Sequence, residues 1–436
     1  MLIGFKVGNF RSFKEIQYFS MLAGKTRSNL SHLVEVKDKK ILKFSGMYGA
    51  NGSGKSNLIS AMSVLQSLIN NNVDSLISNQ YFRGEKSYEN NDSYFEYEFS
   101  LDEKLYSYGY EINILKKELT SEWLIDMSKS SEKVIFSRDI KKGITNHNFG
   151  KNSLIAASCF DEMKNNNKEL FLKEVVRRLM MTDKEDLAYN ELISVYKFFT
   201  MDMIFIKPTT HKLFDTNYIK DKVTILSLLK KMDINITDII ENESTMNTIQ
   251  SNMSRVGFEN FQNELKIMFT RFNKKNNLKC TLRLNNDLYT IIKNKDDYKV
   301  SLIKFKHDNC NETFGAYEES DGTIRLLQLL DIFLSKNKIF IIDELDNSLH
   351  PVLVKGILKH FLESPYRNQL VITTHESITL DFDLVRRDEI WFAEKSENGE
   401  SHIYSLEEYK KEARFDKVIR NAYLEGRFGA ISNIEL

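Results

Sequence analysis

Gly49-Ala50-Asn51-Gly52-Ser53-Gly54-Lys55-Ser56 follows the apolar run Ile41 to Met47 and precedes the helical pattern Leu58-Ile59-Ala61-Met62-Leu65. A strand, a glycine-rich loop and a helix in that order are the setting in which the pattern G-x-x-x-x-G-K-S holds phosphate. Glycines let successive backbone N–H groups converge on phosphate oxygens, and the helix N-terminus adds its dipole. Lys55 is then expected to reach the outer phosphates and the Ser56 hydroxyl to ligate Mg²⁺. Asn51, Gly52, Ser53, Gly54 and Asn57 make up the rest of the ATP cradle.

A second motif lies almost three hundred residues later. Ile339-Phe340-Ile341-Ile342-Asp343-Glu344 is four apolar residues ending in two carboxylates, the signature of a buried parallel strand that delivers acids at its C-terminal edge. Asp343 is placed to hold Mg²⁺ and Glu344 to polarise the attacking water. One helix further on, Gln369-Leu370-Val371-Ile372-Thr373-Thr374-His375 is another apolar strand with a polar tip, and His375 falls where a γ-phosphate sensor would sit. Glu319-Ser320-Asp321-Gly322-Thr323, upstream of both, opens a further helical pattern.

Length and composition narrow the class. The 436 residues suffice for one large or two to three ordinary domains. Lys+Arg and Asp+Glu both number 61, so no global charge attracts nucleic acid or membrane, and any basic patch must be local. Cys159, Cys280 and Cys310 lack metal-ligand spacing, which fits a reducing cytoplasm. The start Met1-Leu2-Ile3-Gly4-Phe5-Lys6 has no long apolar core and no later segment reaches membrane length, so a cytoplasmic protein is expected.

Period-two alternation with aromatics runs through Leu2 to Phe13, Tyr94 to Phe99, Leu105 to Tyr110, Leu119 to Ile125 and Val134-Ile135-Phe136, and predicts an antiparallel sheet. From about Ser153 the pattern turns helical, with runs over Glu169 to Leu179, Val223 to Met232 and Phe258 to Phe272, before a strand-like Lys279 to Val300. Roughly 260 residues separate Ser56 from Ser320, several times what one βαβ step needs. The expected fold is therefore α/β, a P-loop head of mixed sheet plus antiparallel β lobe, split by a mainly helical insertion. Its parts are residues 1–150, an insertion at 151–300 and 301–436.

These residues resemble the ABC-type ATPase heads of the SMC, RecF and OLD group. Ser320-Asp321-Gly322-Thr323 is similar to that group's signature motif, Asp346 to its D-loop, His375 to its switch histidine, and Asn9-Phe10-Arg11-Ser12-Phe13 to its first strand. The resemblance is nearest to the standalone AAA-type ATPases of bacterial anti-phage and abortive-infection systems, such as AbiL-like proteins and the AriA subunit of PARIS. Their tail resembles Leu384 to Phe392 and Tyr423 to Ile431. The likeness covers about the first 140 and the last 120 residues. It implies that Arg11 and Ser12 lie near the nucleotide base, that Asp346 belongs to the nucleotide site, and that the signature residues Ser320 and Gly322 close over ATP held by another subunit in a homo-oligomer. The signature reads Ser-Asp-Gly where transporters have Ser-Gly-Gly, and neither Gln66 nor Gln80 has the setting of a glutamine loop.

By the same resemblance, the expected role is an ATPase sensor or scaffold controlling a separately encoded effector, such as a TOPRIM or other nuclease, with DNA or a phage protein as trigger and no membrane partner. A RecF/SMC-like DNA-repair ATPase and a slow ATP-gated assembly module are the alternatives. Asp381-Phe382-Asp383 superficially matches one element of a TOPRIM metal site, but too little chain follows it, and a turn is expected there. Asn146-His147-Asn148 is expected to be a turn and not an HNH centre. Basic residues at Lys37 to Lys43, Arg177-Arg178, Arg271 to Lys275 and Lys410-Lys411 are interleaved with acids and read as solvated faces.

Overall fold

The computed structural model describes residues 1–129, 131–149, 153–181, 187–208, 221–251, 253–255, 258–259, 261–262, 265, 279–284, 287–294, 297–308, 310–409 and 419–430. The basic run Arg271 to Lys275 and Lys410-Lys411 lie outside them. The chain forms two compact units. The first is Met1–Phe205 with Lys336–Asp346 and Val354–Leu436, and the second is Ile206–Ser335 with Asn347–Leu353.

In the first unit the alternating stretches pair as β1 (Leu2–Gly8), β2 (Gln17–Ser20), a small hairpin of β3 (Leu33–Val36) and β4 (Lys39–Leu42), then β5 (Phe44–Tyr48), β6 (Ser93–Leu101), β7 (Lys104–Asn113), β8 (Glu118–Asp126), β9 (Lys133–Asp139) and β10 (Ile144–His147). Seven of these make an antiparallel sheet in the order β10-β9-β8-β7-β6-β1-β2. Its inner face is aromatic: Phe5, Tyr97, Phe99, Tyr108 and Tyr110 are fully buried. Against it lies α1 (Lys55–Asn70), which buries Leu58, Ile59, Ala61, Met62, Leu65, Leu68 and Ile69, the i, i+3, i+4 set expected of a helix covered on its apolar side. The Tyr97 hydroxyl donates to the Met62 carbonyl across this interface at 2.8 Å.

The second sheet of this unit adds β11 (Met203–Ile206) and, after the excursion of the chain through the other unit, β17 (Ile339–Ile342), β18 (Gln369–Thr373), β19 (Ile390–Lys395) and β20 (Ser401–Ser405). Its order is β11-β17-β18-β5-β19-β20. β5 runs parallel to β18 on one side and β19 on the other, and β17 parallel to β18, so three strands bearing motifs end at the same edge. All residues of β5, β17 and β18 are buried, as a sheet covered on both faces requires. The segments after β10 supply α2 (Leu154–Met163), α3 (Phe171–Met180) and α4 (Leu187–Lys197), whose buried residues join the same core.

The second unit contains α5 (Lys222–Lys231), β12 (Ile236–Ser244), the helix Met246–Ser251, β13 (Lys279–Leu284), β14 (Asp287–Asn294), β15 (Asp297–His307) and β16 (Thr313–Gly315). The antiparallel order is β12-β15-β14-β13, with β16 on β15. Strand alternation sends Leu288, Ile303 and Phe305 into a cluster with α5 and the helix Asp321–Leu329. The intervening Tyr289, Ile291 and Val300 enter a separate cluster with Ile249 and Phe258.

Among the described residues no helix is long and apolar enough to cross a membrane. Asn146 and His147, expected in a turn, are instead the end of β10, where the His147 ring stacks on Phe149 with centroids 4.9 Å apart. Arg177 and Arg178 both pair with Glu174, at 2.6 and 2.7 Å.

Candidate nucleotide-binding site

The loop after β5 is shaped by its glycines. Gly49, Gly52 and Gly54 have φ of 152°, 76° and 112°, values that L side chains rarely adopt. Gly54 is doubly constrained, because a Cβ there would lie 2.4 Å from Ser401 Oγ. Around Gly52 nothing among the described residues lies within 4 Å of such an atom. Ser53 Oγ is buried without a hydrogen-bond partner among the described residues. An open, polar cradle at a helix N-terminus fits a phosphate group.

Lys55 is buried, and its ammonium donates to the carbonyls of Gly49 and Ala50 at 2.6 and 2.9 Å. Burial pulls this amine down to about 8, with Asp343, Asp346 and Glu344 pulling the other way. Ser56 Oγ donates to Asp343 Oδ1 at 2.9 Å, which joins the loop to the end of β17. Thr373 at the tip of β18 donates to the same carboxylate oxygen at 2.6 Å and accepts the backbone N–H of Glu344 at 2.8 Å. Glu344 itself has a left-handed backbone, φ 50°, a strained conformation for a residue with a side chain. The backbone N–H of His375 faces the Asp346 carboxylate at 3.3 Å. Partial desolvation, then Lys55, pushes the His375 imidazole below its usual value.

The N-terminal segment reaches the same loop from the side. Arg11 Nη1 donates to Asn57 Oδ1 at 3.3 Å and to Ser60 Oγ at 3.1 Å, and Asn57 Nδ2 donates to Ser12 Oγ at 2.7 Å. Ser12 Oγ is also 2.8 Å from Ser401 Oγ. A cavity of about 480 Å³ opens here, lined by Arg11, Ser12, Asn57, Gln80, Arg83 and Lys395 among others.

Thus Lys55, Ser56, Asn57, Asp343, Glu344, Asp346, His375, Arg11 and Ser12 are placed around one sheet edge. Ser320 and Gly322 belong to the second unit. There Ser320 caps the helix Asp321–Leu329 by accepting the Thr323 N–H at 3.1 Å, and Glu319 pairs with His307 at 2.6 Å. A Cβ on Gly322 would stand 3.0 Å from the Ser348 carbonyl, so glycine permits that approach. Gln66 donates to the carbonyls of Phe199 and Met203, both at 2.7 Å, and is a structural tie. Thr373 and Ser401 escaped the sequence reading. A hydroxyl at a strand tip was the only signal for the first, and the second is brought in by pairing of β20 with β19. Asp381 takes a hydrogen bond from Lys355 at 2.7 Å and another from the Asp383 N–H at 3.0 Å, within a turn. Among the described residues no group of three His, Cys, Asp or Glu is arranged to hold a metal ion.

Residues 44–152 and 219–381, more than half of the chain, match the model of an AAA domain described as a putative AbiEii toxin of a type IV toxin–antitoxin system. The chain belongs to this AAA family. Membership implies nucleotide binding, in agreement with the loop that follows β5. Among solved structures, this chain is similar over 94% of its length to 99% of an SMC head bound to the C-winged helix domain of ScpA, at 15% identity and a TM-score of 0.41. An SMC head from Thermotoga maritima gives 13% identity and 0.36 over 93% of this chain and 98% of that one. An SMC head with extended coiled coil, bound to a ScpA domain derived from Pyrococcus furiosus, gives 15% and 0.38 over 94% and 98%. Likenesses this distant carry no argument about activity or partners. No curated protein matches the sequence.

Proposed function

We propose that this AAA domain binds ATP with Mg²⁺, hydrolyses it, and serves in the bacterial cytoplasm as the sensor or scaffold of an anti-phage, abortive-infection system that controls a separately encoded effector such as a nuclease. The observation that carries the ATPase reading is the 2.9 Å hydrogen bond from Ser56 to Asp343. It brings a P-loop hydroxyl and a strand-end carboxylate to one point, the ligand set from which an enzyme offers Mg²⁺ a single acid and leaves the other positions to water and phosphate. Bound there, the ion would neutralise charge on the phosphates. The AbiEii description of the family supports the defence reading.

Each residue then has a task that its position allows. The Lys55 ammonium exchanges the Gly49 and Ala50 carbonyls for phosphate oxygens. Thr373 holds Asp343 and the Glu344 N–H, which fixes the Glu344 carboxylate as the base that orients and deprotonates water. His375, kept neutral by its setting, offers a ring nitrogen to the terminal phosphate. Arg11, Ser12 and Asn57 border the cavity that receives the base and ribose. Ser320 and Gly322, with Asp346, complete the site of a second copy in a homo-oligomer. The effector is taken to dock on the region between about Ser153 and Val300 or on the tail from Asp388 onward, and no nuclease centre is assigned to this chain.

The test separates binding from chemistry. Lys55→Ala is expected to lose nucleotide affinity while keeping its fold, and Glu344→Gln to bind ATP normally while turnover falls at least 100-fold, since an amide accepts a hydrogen bond but is no base. Glu344→Gln turning over near the wild-type rate would remove Glu344 from its role. Co-expression with the flanking genes addresses the defence reading. An effector that co-purifies and is released by ATP supports it, whereas salt-dependent DNA binding by the isolated chain favours a repair role.

A further inference from the structure

The C-terminal motif Tyr423-Leu424-Glu425-Gly426-Arg427-Phe428-Gly429-Ala430 has no part in the ATP chemistry described above. It follows the short helix Ile419–Leu424, and Arg420 and Tyr423, three apart, share one face of that turn. The Tyr423 ring stacks on Phe392 of β19, with centroids 5.6 Å apart and planes at 16°, and meets Tyr48 edge-on at 6.3 Å. Its hydroxyl lies toward the backbone N–H of Gly49, the first residue of the P-loop. On its other side Gly49 is hemmed in, because a Cβ there would lie 2.3 Å from the Ala393 carbonyl.

Arg420 engages the opposite half of the site. Its Nε donates to Ser377 Oγ at 3.1 Å, two residues beyond His375. The turn that starts at Ser377 is tied back to β5 by the Tyr48 hydroxyl, 2.9 Å from Thr379 Oγ1. Phe428 anchors the far end. Its ring stacks on Phe392 at 5.5 Å and 15°, and its carbonyl accepts the hydroxyls of Tyr404 at 2.6 Å and Tyr409 at 3.3 Å. Gly426 and Gly429, with φ of 75° and 66°, make the reversal that brings Phe428 back.

We propose that this motif is a positioning strap, in which Tyr423 sets the first peptide of the P-loop and Arg420 sets the segment that carries His375. One helical turn thereby holds the phosphate-binding loop and the terminal-phosphate sensor in a fixed register. The inference rests on the reading of the P-loop and His375 as an ATP site. Because the two contacts serve different halves, they separate in kinetics. Loosening Gly49 weakens ground-state binding of the phosphates, whereas loosening Ser377 misplaces a group needed in the transition state.

The experiment uses the full chain, a fluorescent ATP analogue with Mg²⁺ for affinity, and phosphate release for turnover. Tyr423→Phe keeps the stacked ring and deletes only the hydroxyl, and is expected to raise Kd about tenfold. Arg420→Ala is expected to lower kcat about tenfold with KM unchanged, and Arg420→Lys, which still offers a donor to Ser377, to recover most of it. Melting temperature is followed in parallel. If the losses track a fall in melting temperature in every variant, with no division between Kd and kcat, the motif is a stability element and the proposal is overturned. Wild-type values in both Tyr423→Phe and Arg420→Ala overturn it too, provided Lys55→Ala abolishes binding. Should Lys55→Ala still bind ATP, the ATP-site reading itself fails.

Discussion

Burial pulls the Lys55 amine down to about 8 while its ammonium donates to two carbonyls, so the protein keeps a cation at the edge of deprotonation where phosphate charge is to arrive. Phosphate oxygens favour the charged form and draw the proton back. At pH 9 roughly nine in ten such amines would be neutral, and at pH 6.5 almost none. ATP binding is therefore expected to take up close to one proton per site at pH 9 and nearly zero at pH 6.5. Calorimetric titrations in buffers of different ionisation heat measure this, and a buffer-independent enthalpy at pH 9 contradicts it. Thr373 offers a second expectation. Thr373→Val leaves the Asp343 oxygen and the Glu344 N–H each without one partner, and groups that orient metal ligands are worth roughly 10- to 100-fold. Mg²⁺-dependent turnover should fall by that factor with the fold retained, as read from phosphate release against Mg²⁺ concentration. That Lys55, Ser56, Asp343 and His375 would meet at one sheet edge was legible, because a phosphate-loop pattern and apolar strands with polar tips mark such an edge. Thr373 was not, because a threonine at a strand tip looks the same whether it braces a carboxylate or faces water.

A fully buried ion pair ties the elements of the β lobe together. Glu122 on β8 and Arg138 on β9 are register partners at 2.7 Å, with both side chains 0% exposed. Arg138 also donates to the carbonyls of Met163 and Asn166, each at 2.7 Å, and of Glu169 at 2.6 Å. Glu122 accepts the N–H groups of Phe171 and Leu172, at 2.7 and 3.1 Å, at the start of α3. The pair therefore fastens the end of α2 and the beginning of α3 to the sheet. Arg138→Met strands the carboxylate and three carbonyls, and breaking a buried pair in this way costs about 3–5 kcal/mol. Urea denaturation is expected to show a loss of that size, and a loss below about 1 kcal/mol would mean that water or another group replaces the arginine. The aromatic alternation of β6 to β9 announced an antiparallel sheet from the sequence alone. It could not announce this clasp, since Glu122 and Arg138 occupy inward positions that the pattern reserves for apolar residues. Nor could β11, four apolar residues after α4, be matched with its sheet, because local periodicity reveals that a strand exists and is silent on its neighbour.

At the scale of the molecule the ATP motifs divide between the compact units, with the P-loop, Asp343, Glu344 and His375 on the first and Ser320 and Gly322 on the second. If the signature serves a neighbouring copy, mixing Lys55→Ala chains with Ser320→Arg chains should restore part of the turnover that each lacks. One interface of each mixed pair then has an intact loop on one side and an intact signature on the other. A mixture as inactive as its components, with mixed oligomers demonstrated by mass, would place the signature outside the site. The order of the parallel sheet has another outcome, in the time over which the protein is made. β5 is made well before its neighbours, since its register partners Leu370 on β18 and Ile390 on β19 follow more than three hundred residues later. At the usual pace of synthesis that is a wait on the order of 20–60 s. During it the antiparallel lobe has most of its own partners, whereas the strand that bears the P-loop has neither neighbour. A ribosome-bound chain is thus expected to gain its ATP site only once β18 and β19 have been made, and a copy cut short before them would lack both parallel neighbours of the P-loop strand.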